Sequence, residues 1–125
     1  MNEDLKHHVC FNKGTEPAFT GKYLNHKKNG IYTCVMCEQE LFISSTKFDS
    51  GTGWPSFYDA IQDNIETEID TSHGMTRVEV HCKNCKAHLG HVFKGEGFTK
   101  KNVRHCVNSL SLEFETRDSV EKKKK

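Results

Sequence analysis

Cys82-Lys83-Asn84-Cys85-Lys86-Ala87-His88-Leu89-Gly90-His91 is the stretch on which the fold turns. It carries a Cys-x-x-Cys pair and then two histidines, three and six residues past the second cysteine. A second pair, Cys34-Val35-Met36-Cys37, lies upstream. A two-residue gap lets each pair aim both sulfurs at one ion, and tetrahedral zinc accepts four thiolates. Structural disulfides or two redox dithiols are the competing readings. Two pairs in one short chain favour a single structural zinc held by Cys34, Cys37, Cys82 and Cys85.

Working outward, 125 residues suit one domain with a modest core. A formal net charge of +1 argues against a broad electrostatic grip on nucleic acid or an anionic membrane. The closing Lys122-Lys123-Lys124-Lys125 reads as a solvated tail. No apolar run has the length of a membrane span, and the start, Met1-Asn2-Glu3-Asp4-Leu5-Lys6, is polar and acidic. A cytoplasmic, monomeric protein is expected, in a compartment that keeps thiols reduced.

Residues 2–12 suggest a short helix, ending near Cys10 and stopped by Gly14. Asn29-Gly30 signals a turn before a strand at Ile31-Tyr32-Thr33, and Leu41-Phe42-Ile43 is a second strand. Gly51, Gly53 and Trp54-Pro55 form a tight loop, from which Pro55 could open a short helix through Ile61. Composition favours core positions for Trp54, Phe57 and Tyr58 over a pocket wall. Ile65-Glu66-Thr67-Glu68-Ile69-Asp70 and Thr76-Arg77-Val78-Glu79-Val80-His81 alternate cleanly, which predicts an antiparallel hairpin with one wet face. Leu89 to Phe93 is a further strand, followed by a loop with two glycines.

The last strand is the most informative. Period two places Arg104, Cys106, Asn108, Leu110, Leu112 and Phe114 on one face, with a largely polar face opposite. Arg, Cys and Asn are not the usual filling of a core face, so this end marks a candidate site. Arg104 beside Cys106 is expected to favour the thiolate, the nucleophilic form. His91, or second to it His88, could donate a proton near neutral pH. An inert buried thiol is the plain alternative.

These motifs resemble the methionine sulfoxide reductase B family over about residues 14–114. The resemblance rests on Gly14-Thr15-Glu16, Phe19-Thr20-Gly21, both Cys-x-x-Cys pairs, residues 47–57, Cys85-x-x-His88-x-Gly90-His91-x-Phe93 and Arg104-x-Cys106-x-Asn108-Ser109. It implies an all-β domain of two antiparallel sheets, compact and barrel-like in the manner of a β-tent, with zinc away from the site. The expected organisation is a helical arm at residues 1–13, the catalytic domain at 14–116 and a charged tail at 117–125. The activity it implies is reduction of methionine-R-sulfoxide, free or in proteins, to methionine in the repair of oxidative damage. Cys106 would be the nucleophile, Trp54 and Phe93 would contact substrate, and His88, His91, Arg104 and Asn108 would line the polar side.

Three departures from the family pattern stand out. Val35 and Glu38 occupy positions in the first knuckle where glycines often follow the cysteines. The loop at residues 94–103 differs in composition. Thr52 stands where many members carry the resolving cysteine. With four cysteines on zinc and Cys106 attacking, Cys10 is left to resolve the sulfenic acid, and thioredoxin is the expected reductant. A non-catalytic zinc-stabilised binding module and a peroxide-reducing thiol enzyme are the readings from other classes; methionine sulfoxide turnover separates them from the reductase.

Overall fold

The structure is a computed structural model, and it describes residues 16–71, 74, 76–97 and 102–116. The expected N-terminal helix, Cys10 and the charged tail lie outside the described residues. No α-helix occurs among those described, and none of their elements is a helix long and apolar enough to cross a membrane.

Nine strands form two antiparallel sheets. In chain order they are β1 (Gly30–Cys34), β2 (Glu40–Ile43), β3 (Lys47–Phe48), β4 (Ser56–Phe57), β5 (Ile65–Asp70), β6 (Arg77–Cys82), β7 (His88–Lys94), β8 (Val103–Val107) and β9 (Leu112–Thr116). The small sheet runs β2-β1-β9 and the large one β3-β4-β8-β7-β6-β5. The two-sheet expectation holds, but the large sheet does not close into a barrel: β3 and β5 are its edges.

Between the sheets lies a core of fully buried Tyr32, Leu41, Phe42, Phe57, Leu89 and Leu112. Phe42 stacks on Phe57 at 4.5 Å between centroids, and Tyr32 meets Phe57 edge-on at 5.2 Å. Aromatic pairs of this kind add about 0.5–1.5 kcal/mol beyond their buried area.

The alternating stretches behave as their periodicity predicts. β5 pairs with β6 in unbroken register from Ile65 opposite Cys82 to Asp70 opposite Arg77. The charged face of this hairpin is not uniformly wet, however. Asp70 and Glu79 are buried, because β7 lays two histidines against them.

Two expectations fail for identifiable reasons. Residues 103–115 do not form one strand. Ser109–Ser111 makes a 3-10 turn, and the chain passes from β8 in the large sheet to β9 in the small one. The three turn residues reset the alternation and bury Ser109 and Ser111, while His105 and Val107, also expected on a polar face, are buried on β8 before the turn. Nor does Pro55 open a helix. Ser56 and Phe57 pair with Cys106 and His105 on one side and with β3 on the other. Burial of Phe57 within the sheet overrides the local helix signal.

Candidate active site

The two Cys-x-x-Cys turns are near copies of each other. In the first, Cys34 N–H donates to Gln39 O and Glu38 N–H donates back to Cys34 O, both at 2.8 Å. In the second, Cys82 N–H donates to Ala87 O at 2.9 Å and Lys86 N–H to Cys82 O at 2.8 Å. Glu38 and Lys86 take φ of 66° and 68°. Left-handed backbone costs a non-glycine residue about 1–2 kcal/mol, which explains why glycine suits the position that Glu38 fills.

One turn joins β1 to β2 and the other β6 to β7, so their sulfurs meet across the two sheets. All four lie within 4.8 Å of one another, with Cys34 to Cys85 and Cys37 to Cys82 at 3.5 Å. Zinc–sulfur bonds of about 2.3 Å in a tetrahedron require edges of about 3.8 Å. The donor set fits a metal of that kind with little adjustment. The five cysteines among the described residues form no disulfide.

From the second turn, β7 carries the chain into a cavity of about 170 Å³. Its walls are Thr52, Trp54, Arg77, Gly90, His91, Phe93, Arg104, Cys106, Val107 and Asn108. Register explains the grouping. His91 is the cross-strand partner of Cys106, and Phe93 that of Arg104, so all four project from one face of β7 and β8. Gly90 lets the strands approach, since a Cβ there would lie 1.8 Å from the Cys106 carbonyl oxygen.

Trp54, expected in the core on composition, is half-buried and walls the cavity, whereas Phe57 is the core residue and Tyr58 lies toward the surface. The Trp54 indole donates to Glu16 O at 2.9 Å. The loop before it is fixed by hydroxyl contacts from Ser56 to Ser50 at 2.7 Å and Ser50 to Thr52 at 2.8 Å. Thr52 in turn accepts from Arg104 at 3.5 Å. Thr52 therefore opens on the same cavity as Cys106.

Arg104 is gripped by Glu96, with Nε to Oε1 at 2.8 Å and the second contact at 3.2 Å. Its guanidinium also lies 4.6 Å from the centre of the Phe93 ring. Burial pushes the Cys106 thiol above its ordinary value; Arg104 pulls it back without reversing the shift, and Glu96 and Glu16 add to the rise. Arg104 favours the thiolate, as expected, but burial outweighs it. Glu96 offsets the charge of Arg104, and desolvation wins.

The histidines separate. His91 lines the cavity, and its Nε2–H donates to buried Asp70 at 2.8 Å, with Arg77 3.9 Å from the same carboxylate oxygen. His88 does not line it. Its Nδ1–H donates to Glu79 at 2.7 Å, burial lowers its pKa, and its Nε2 is buried without a hydrogen-bond partner. Asn108 borders the cavity, yet its amide is committed: Nδ2 donates to Leu89 O at 3.1 Å and Oδ1 accepts from Glu16 N–H at 3.0 Å.

A family model described as the SelR domain matches residues 3–116. The chain is 55% identical over 122 residues to a protein of Pseudomonas putida named peptide methionine sulfoxide reductase MsrB, covering 96% of this chain and 90% of that one. A protein of the same name from Photorhabdus laumondii is 52% identical over 120 residues, with coverage of 95% and 88%. One from Escherichia coli is 50% identical over 112 residues, with coverage of 89% and 81%.

The chain belongs to the methionine sulfoxide reductase B family.

Within that family its site has supports that a strand-by-strand reading of the sequence misses. Glu16, Asp70, Glu79 and Glu96 each hold a site residue or its neighbour. The hairpin pattern places Asp70 and Glu79 on a charged face, but only the packing of β7 shows what they support. Glu16 had a signal in the Gly14-Thr15-Glu16 motif, though not one that revealed its contacts. Its Oε1 accepts from Leu110 N–H at 2.9 Å, and burial raises its pKa against the hydrogen bonds from Leu110 and Ser109.

Proposed function

We propose that the protein reduces methionine-R-sulfoxide to methionine with Cys106 as the nucleophile. The observation carrying this reading is one small cavity in which a thiol, a cross-strand histidine and two aromatic walls converge. Trp54 and Phe93 suit the methyl and methylene groups of the substrate, while Arg104 and His91 face its polar end. The resting thiol and His91 together hold the proton the reaction needs. Cys106 passes its proton to His91, its sulfur attacks the sulfoxide sulfur, and His91 returns the proton to the sulfoxide oxygen, which then transfers to the Cys106 sulfur as the new sulfur–sulfur bond breaks. Methionine leaves, and Cys106 becomes a sulfenic acid. Sulfur is reduced on the substrate and oxidised on the enzyme, so electrons balance without a further reagent. Asp70 orients the His91 ring in this scheme.

Zinc is the metal that suits Cys34, Cys37, Cys82 and Cys85, where it cross-links the sheets and takes no part in the chemistry. The test of the activity is consumption of the two epimers of a blocked methionine sulfoxide with dithiothreitol. The R epimer is expected to disappear and the S epimer to persist. Equal consumption of both, or of neither, would reject the assignment.

Recycling of the sulfenic acid is assigned to Cys10 and thioredoxin, in a monomer acting in the cytoplasm. Two observations support it. Thr52 offers no thiol, and Glu16 is anchored to Trp54 and Asn108 at the cavity wall. Five residues separate Cys10 from Glu16, and the six extended steps between them span about 20 Å. Cys10 can therefore approach Cys106 once the sulfenic acid forms. Water is released as the disulfide closes, and a dithiol reductant then opens it. Cys10→Ser should complete one turnover at the wild-type rate and lose at least about tenfold in thioredoxin-supported cycling, with dithiothreitol-supported cycling retained. Adding Thr52→Cys should restore the thioredoxin rate, because that side chain opens on the same cavity as Cys106. Undiminished cycling by Cys10→Ser alone would remove Cys10 from the path.

A further inference from the structure

Two guanidinium groups border the cavity, those of Arg77 and Arg104. Arg104 is already committed. Glu96 grips it twice, the Phe93 ring lies against it, and its charge favours the Cys106 thiolate. Arg77 opens β6, and register explains its place in the wall. Glu79 is the cross-strand partner of His91, and Arg77 is the neighbouring residue along β6 on the same face.

The donors of Arg77 are largely unspent. Among the described residues its side chain has one ionic partner, Asp70, with Nη2 to Oδ2 at 3.9 Å, too long for a hydrogen bond. That carboxylate oxygen already accepts from His91 Nε2–H at 2.8 Å. Arg77 Nε is buried without a hydrogen-bond partner, so water does not satisfy it either. Buried N–H groups are almost always paired, and an orphan donor in a cavity wall marks a place where a ligand brings the acceptor. The reaction brings one. A sulfoxide oxygen bears negative charge, which grows as the Cys106 sulfur attacks and falls when His91 protonates it.

We propose that Arg77 is a further catalytic residue, donating a hydrogen bond to the sulfoxide oxygen and holding it toward His91. This rests on the reductase reading above. The division of labour follows from the contacts. Arg104 serves the attacking sulfur, His91 moves the proton, and Arg77 stabilises charge on the oxygen without giving up a proton of its own. A donor fixed where charge develops stabilises the transition state more than the ground state. The product methionine has no oxygen, so the contact exists with substrate and is lost with product.

The test separates binding from chemistry. In zinc-loaded Cys106→Ser protein, calorimetry compares the affinities of blocked methionine-R-sulfoxide and blocked methionine. Adding Arg77→Leu should weaken sulfoxide binding by about tenfold or more, while blocked methionine stays within about twofold. Arg77→Lys keeps a charge opposite Asp70 but replaces the planar fork with a point donor. It should lose about threefold on the sulfoxide alone, and it decides the question by itself should the leucine variant not fold. With Cys106 in place, Arg77→Leu should slow dithiothreitol-supported turnover about a hundredfold. The loss of sulfoxide affinity should persist when His91→Asn is added to Cys106→Ser. Its disappearance there would show that Arg77 acts through Asp70 and His91, and would overturn the inference. Equal weakening of both ligands, or of neither, would overturn it too, with the reductase reading intact. A wild type that consumes neither epimer would overturn that reading and this inference with it.

Discussion

Cys106→Ser should lose more than about 10⁴-fold in turnover while keeping its fold and its metal-binding thiols, because removing a nucleophile eliminates the step itself. A serine hydroxyl keeps the size and part of the polarity of the thiol, so neither sheet needs to move. None of the four clustered cysteines borders the cavity. The companion experiment is a comparison of pH profiles. Burial holds the Cys106 thiol above its ordinary value in the ligand-free site. Its thiolate fraction therefore grows about tenfold per unit through pH 7 to 9, and alkylation by iodoacetamide should climb with the same slope. Turnover should not follow. Thiolate with imidazolium holds the same number of protons as thiol with imidazole, so a proton handed from Cys106 to His91 forms the reactive pair without loss of a proton to solvent. A flat turnover profile beside a rising alkylation profile is the expected result. Turnover climbing in parallel with alkylation would show that Cys106 attacks as a preformed thiolate without a proton from His91. Residual activity of Cys106→Ser near the wild-type rate would place the chemistry elsewhere.

The proton bookkeeping depends on contacts that local sequence conceals. Period two correctly joined Arg104 and Cys106, and alternation correctly predicted β5 and β6, because each stretch keeps one face toward one neighbour. The same rule failed beyond Asn108. There the chain leaves one sheet for the other, and Ser111 N–H turns back onto Asn108 O at 3.0 Å. Strand parity assumes a continuous partner, and a three-residue turn removes that assumption. Composition alone places Trp54 in the core for a related reason, whereas the family resemblance sets it against substrate. Composition reports how often a tryptophan is buried, not whether the space over its face is protein or cavity. The supporting carboxylates are hidden more thoroughly, since Glu16 reaches Asn108 across 92 positions of sequence. Glu96 lies in the loop whose composition departs from the family pattern, yet it is the residue that grips Arg104.

Cys34→Ser should cost the protein its fold rather than its chemistry alone. Structural zinc contributes on the order of 10 kcal/mol in small domains, and the whole stability of a domain is about 5–15 kcal/mol. The geometry here makes the dependence severe. Cys34 and Cys37 belong to the small sheet and Cys82 and Cys85 to the large one, so the metal would clamp the layers that enclose Tyr32, Phe42 and Phe57. Without it, burial drives the Cys34 thiol well above its ordinary value and that of Cys82 up to about 11. Both must give up protons to bind metal, so metal affinity should fall as pH falls. The purified protein should contain one zinc per chain, and Cys34→Ser and Cys85→Ser should each lose zinc and the cooperative melting transition together. The site should then fail as a consequence, because the turn at Cys85 leads directly into β7 and His91, and β6 runs from Glu79 to Cys82. Loosening the second turn would release the strand that sets His91 opposite Cys106. A metal-free variant that melts cooperatively at the wild-type temperature and still turns over sulfoxide would show that the apolar core alone holds the sheets in register.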